Sequence, residues 1–199
     1  MGGIDKKAER PARQFEATRA EIKAAAWVQV SERGAASLSL RAVAAAIGFS
    51  APALYRYFPS RDSLVTALII DAYQSLALAQ NKTLDSLEGK SWEECLRGLG
   101  LAYRAWATSQ PAAFYIIFGA PIPGYIQPTE ETLPAAGSSL SALIQVLTMA
   151  MKAGDLALPL EPPATASLKA AFTAGATRFT TMTPRSSIWP FPLQTGSRD

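Results

Sequence analysis

Apolar positions in the first third of the chain recur at helical spacing. Leu40, Val43, Ala44 and Ile47 fall at i, i+3, i+4 and i+7, which is one face of a short helix, with Ser39 placed as its N-cap and Gly48 where the chain must turn. A second helix is predicted to start after Ser50. Pro52 lies in its first turn, where a missing N–H costs nothing, Leu54 and Phe58 fall four apart on its inner side, and Pro59 stops it. Its other face presents Ala53, Tyr55, Arg56 and Tyr57. Two short helices around a tight turn are the layout of a helix-turn-helix.

The same period continues on both sides. Upstream, a helix is expected from near Thr18 to Arg33, ending at Gly34. Downstream, Ser60 caps a fourth helix with Asp62 in its first turn, running to about Gln80 with Leu64, Leu68, Tyr73 and Leu76 inward. After a polar break at residues 81–90, Ser91 and Glu94 form a capping box, and Trp92, Leu96, Leu99, Tyr103 and Trp106 follow a helical period. A helix led by Pro111 runs to Phe118. Residues 119–128 hold three prolines and two glycines and cannot be helical. A further amphipathic helix spans about Ser138 to Lys152 and stops at Gly154, and another begins at Ala164. The fold class is therefore all-α: a three-helix head over 17–64, with helix four leading into a helical bundle over 65–172. Residues 1–16, with Lys6, Lys7, Arg10 and Arg13 interleaved with Asp5, Glu9 and Glu16, read as a flexible solvated arm.

Charge sharpens the picture. Residues 1–62 hold ten Lys or Arg against six Asp or Glu, whereas residues 63–199 hold nine against ten, so the positive excess belongs to the head. Basic side chains near phosphates gain affinity by releasing condensed counterions, which suits a polyanion partner. The chain has one cysteine, Cys95, and no histidine. No disulfide framework is possible, the common zinc sites lack ligands, and Ser-His-Asp, Cys-His and histidine general-base chemistry are all removed. Cys95 reads as a small buried thiol. No metal or cofactor is expected, and neither is an enzyme. No long apolar run marks the N-terminus, and the apolar stretch Phe114 to Ile126 is too short to span a bilayer, so the expectation is a soluble cytoplasmic protein with no membrane partner.

Residues 18–68 closely resemble the tetracycline-repressor (TetR) family of bacterial regulators. The match is carried by Ile22-x-x-Ala25-Ala26-Trp27 and Glu32-Arg33-Gly34, Leu-Arg-x-Val-Ala from Leu40, Ile-Gly-Phe-Ser from Ile47, Leu-Tyr-x-Tyr-Phe from Leu54, and Pro-Ser-Arg-Asp-x-Leu from Pro59. One departure is Ala42, where the family often has an acidic residue that would complete a capping box with Ser39. Phe114-Tyr-Ile-Ile-Phe-Gly-Ala-Pro-Ile-Pro-Gly-Tyr resembles the effector domain of a subgroup named for a later Trp/His-Gly motif, which this chain lacks.

The resemblance implies a DNA-binding regulator, in the usual case a repressor released by a small-molecule effector. Its DNA-facing residues would be Ser39, Arg41, Ser50, Ala51, Pro52, Ala53, Tyr55, Arg56, Tyr57 and Arg61. Among these, Ser50, Tyr55 and Tyr57 would donate hydroxyls to phosphates and Arg61 would add a charged phosphate contact, while Ala51, Pro52, Ala53 and Arg56 would lie nearest base edges, Arg56 being able to pair with guanine. A homodimer would hold two recognition helices about 34–36 Å apart on a palindromic operator. The effector would be apolar or aromatic, with Tyr103, Trp106, Phe114, Ile117 and Met149 as candidate pocket residues. The alternative is a helical small-molecule-binding protein without a specific DNA role.

Beyond about Phe172 the chain changes character. Residues 173–199 have many threonines, no acidic residue before Asp199 and no helical apolar period. Two readings stay open: a disordered C-terminus, or a frameshift near residue 173. Back-translating from Gly175 and reading from the third base of each codon can give an acidic loop followed by an apolar helix, as the subgroup has before its motif. A frameshift would remove the terminal helices that make the family's dimer.

Overall fold

The computed structural model describes residues 5–157, with side chains from residue 11 onward. The expected helix at 164 and both readings of the 173–199 tail lie outside the described residues. Among the described residues seven α-helices follow in order: α1 (Asp5–Arg33), α2 (Leu40–Ala46), α3 (Ala51–Tyr55), α4 (Arg61–Ser86), α5 (Trp92–Ser109), α6 (Pro111–Phe118) and α7 (Thr129–Ala153), with one 3-10 turn at Ala35–Ser37. No strand occurs among the described residues.

Three helix boundaries differ from the sequence reading. α1 starts at Asp5, well before Thr18, so most of the expected arm is helical. Its Lys, Ala, Glu, Arg and Gln residues are good helix formers, and mixed charge suits an exposed helix as well as a coil. Phe15 then ties this turn to the head, its ring stacked on Tyr57 at 4.8 Å. α4 continues through the expected polar break to Ser86, because Thr83 bonds back to the Ala79 carbonyl and the packed side of the helix extends past Gln80. α7 starts at Thr129 rather than Ser138. Glu130 and Glu131 favour its first turn through the helix dipole. Thr132 Oγ1 donates to the Pro128 carbonyl at 3.0 Å and accepts from Gln127 Nε2 at 2.9 Å.

The caps fall where the sequence places them. Ser39, Ser50, Ser60 and Ser91 each accept from the backbone N–H three residues on. Ser91 and Glu94 close a full capping box, while in the Ser60 box the reciprocal acceptor is Ser63 Oγ. At Ser39 the acceptor that Ala42 cannot provide comes from another helix: Gln29 Oε1 of α1 accepts from the Ser39 N–H at 2.8 Å.

α4 is the shared element. A continuous apolar core runs from Ile22, Ala26, Val43, Leu54 and Phe58 in the head through Leu64, Leu68 and Ala72 of α4 to Trp106 and Ile116 in the body. A second core joins Cys95 and Leu99 of α5 to Ala142 and Val146 of α7. The structure therefore has no break at residue 64; residues 5–156 belong to one compact unit. The 119–128 loop is pinned where the Tyr125 hydroxyl meets Thr66 Oγ1 of α4 at 2.9 Å. α7 has the length and apolar composition to cross a membrane. Here one face, through Ala135, Ser139, Ala142, Val146 and Ala150, packs inward, while Leu133, Leu140, Ile144, Leu147 and Met151 stay exposed.

Candidate nucleic-acid interface and body cavity

α3 is five residues long and could not persist alone. Its position comes from packing. Leu54 and Phe58 are buried, as their spacing predicts, and seat the helix in the core it shares with residues of α1, α2 and α4. Gly48 takes φ +71°, a left-handed conformation that lets the chain reverse between α2 and α3. Arg19 of α1 lies 4.5 Å over the Phe58 ring and donates to the Tyr57 carbonyl at 3.0 Å, fastening the end of the motif.

The outward face carries Arg41 and Ala42 of α2 with Ser50, Pro52, Tyr55 and Arg56 of the turn and α3, all exposed, and Ala51 and Ala53 half-buried beside them. Arg41 and Arg56 make no ion pair or hydrogen bond among the described residues. Ser39 and Ser50 use their Oγ lone pairs to cap α2 and α3, at 3.5 and 3.3 Å, which leaves each hydroxyl hydrogen able to donate outward.

Two of the expected contact residues also carry contacts within the fold. The Arg61 guanidinium folds inward: Nε donates to the Leu38 carbonyl at 3.1 Å, and one terminal nitrogen donates to the Ala35 and Ala36 carbonyls at 3.0 and 3.1 Å. Its fork closes the 3-10 turn onto the start of α4 and so holds the fold together, while the other terminal nitrogen lies 3.5 Å from Asp62 Oδ1. Tyr57 is half-buried, its ring against Phe15 and Phe49, which makes it first a packing residue.

In the body, a cavity of about 490 Å³ lies among α4, α5, α7 and the end of α6. Tyr103 lines it, as expected. Trp106 does not: it is buried, with its indole N–H donating to Ser75 Oγ at 2.9 Å. Phe114 and Ile117 pack on the shared core, and Met149 borders a separate, more polar cavity beside Cys95, Asp85 and Glu88. Among the cavity residues that the sequence reading passed over are Gln80, Leu99, Ser139 and Leu143. A signal for Gln80 was present: it follows Tyr73 and Leu76 at helical spacing on the inner side of α4, an amide on an apolar stripe. Burial raises the Tyr73 hydroxyl above its ordinary pKa, so it stays neutral at the edge of this space.

A helix-turn-helix on a three-helix head is thus joined through one long helix to a helical body with an apolar cavity. The family model for bacterial regulatory proteins of the tetR family matches residues 22–68, and that for the tetracyclin repressor-like C-terminal domain matches residues 96–181. The chain belongs to the TetR family. The HTH-type transcriptional regulators Rv1816 of Mycobacterium tuberculosis and Mb1846 of Mycobacterium bovis are each 36% identical to it over 130 residues, 65% of this chain. The match spans 56% of the length of those regulators. Among solved structures, the regulatory protein SCO4313 superposes with a TM-score of 0.61 at 34% identity, covering 83% of this chain and 81% of its own. The TetR family regulator PfmR of Thermus thermophilus has a TM-score of 0.53 at 20% identity, covering 84% and 88%, and shows likeness of fold.

Proposed function

We infer that this chain is a sequence-specific DNA-binding transcriptional regulator that acts as a homodimer on a palindromic operator and is released by a small apolar effector. The observation that carries this reading is the outward face of α2 and α3, where two unpaired arginines, two capping serine hydroxyls and Tyr55 converge on one exposed surface of a basic head. Arg41, Ser39, Ser50 and Tyr55 are suited to phosphate oxygens, and Arg56 to the O6 and N7 of guanine, with Ala51, Pro52 and Ala53 small enough to let α3 approach the bases. Five residues of helix cannot specify an operator alone, which is why the reading includes a dimer. It includes repression and no catalysis, as expected for the family.

The test is selection of purified full-length protein on randomised duplex DNA at near-physiological salt. Enrichment of a palindrome whose half-sites are about one helical turn apart supports the reading. Binding that is weak, unselective and lost with salt rejects the dimeric regulator, and no DNA binding at all favours a ligand-binding module.

A further inference from the structure

We propose that the cavity among α4, α5 and α7 takes an uncharged, largely apolar molecule bearing a hydrogen-bond donor, and that the Gln80 amide turns its Oε1 out of the packing to accept from it. Gln80 is 8% exposed, lines the cavity, and its Oε1 is buried without a hydrogen-bond partner. A buried amide oxygen left unpaired is a standing cost to the fold, and a ligand donor removes it. The nearby polar groups do not relieve it from within: Ser139 Oγ is engaged by the Ala136 carbonyl at 2.7 Å. No charged side chain lines the space, so an ionic ligand would enter without a counter-charge. The remaining wall joins the aliphatic Leu76, Leu99 and Leu143 to the rings of Tyr73, Tyr103 and Phe118. A volume of about 490 Å³ lies in the range of small-molecule sites. The proposal deepens the effector reading above and rests on it only for the link to DNA.

Isothermal titration of the full-length protein with para-butylphenol and para-butylanisole isolates the donor, because the two differ in whether the ring oxygen carries a hydrogen or a methyl group. The phenol should bind about tenfold more tightly, the worth of one good hydrogen bond. In Gln80→Leu that preference should vanish, the phenol falling to the level of the anisole. Leu143→Trp, which fills the cavity, should abolish both. Without ligand, the thermal midpoint of Gln80→Leu should rise, since the orphaned amide is gone. Equal affinities in the parent chain, a preference that survives Gln80→Leu, binding indifferent to Leu143→Trp, no binding of either compound up to millimolar concentration, or a lowered midpoint for Gln80→Leu would each overturn it. The DNA selection is read independently: a phenol preference without an enriched palindrome sinks the regulator and leaves the ligand site standing.

Discussion

Two arginines close together in the chain, Arg56 and Arg61, show how position in the fold separates roles that residue type alone leaves merged. Arg56 is exposed and unpaired, whereas Arg61 has its guanidinium closed on three backbone carbonyls. Arg56→Ala should leave the unfolding midpoint within about a degree of the parent and flatten base preference at one operator position, a loss of about 1–3 kcal/mol in discrimination. Arg61→Ala should instead destabilise the chain by about 2 kcal/mol, read by urea unfolding, because three carbonyls lose the guanidinium. An Arg61 variant with full stability and a reduced salt slope on DNA would reverse that assignment. Tyr73 carries a prediction in pH. Its folded pKa lies above the unfolded value of 10.0. As pH rises through that value the unfolded chain releases the proton first, so its stabilising contribution, complete below pH 10, is lost above it. Tyr73→Phe should therefore lose less stability than the parent between neutral and strongly alkaline solution, as urea unfolding at the two pH values would measure.

At the scale of elements, short helices depend on their ends. α2 and α3 have seven and five residues, too few to hold by backbone propensity. The sequence displays their Ser caps, the Gly48 turn and the Leu54–Phe58 pair, and the structure uses all of them. It does not display Gln29 as the substitute for the acidic residue missing at 42, because the two positions meet only once α1 lies across α2. The boundaries of α1, α4 and α7 were hidden for a related reason. Local polarity at 81–86 suggests a break, while packing and helix-end bonds carry α4 through it. In the body, aromatic residues point to a pocket by composition; Tyr103 lines it, while Trp106 and Phe114 are packed elsewhere and an amide on α4 joins the wall. Gly48→Ala should cost about 1 kcal/mol, since an L side chain is strained at φ +71°, and circular dichroism during urea unfolding would show it. A change of less than a few tenths would mean the turn relaxes freely.

For the whole molecule, the head and body share one core through α4, and this has a mechanical meaning. Leu76, on the cavity wall, and Arg61, at the head, are fifteen residues apart on one uninterrupted helix, which at 1.5 Å per residue is a rod of about 22 Å. Tilting such a rod by about 10° at the cavity end sweeps its head end through about 4 Å. The spacing between successive base pairs is about 3.4 Å. A tilt of α4 through that angle thus carries its head end about as far as one base-pair step.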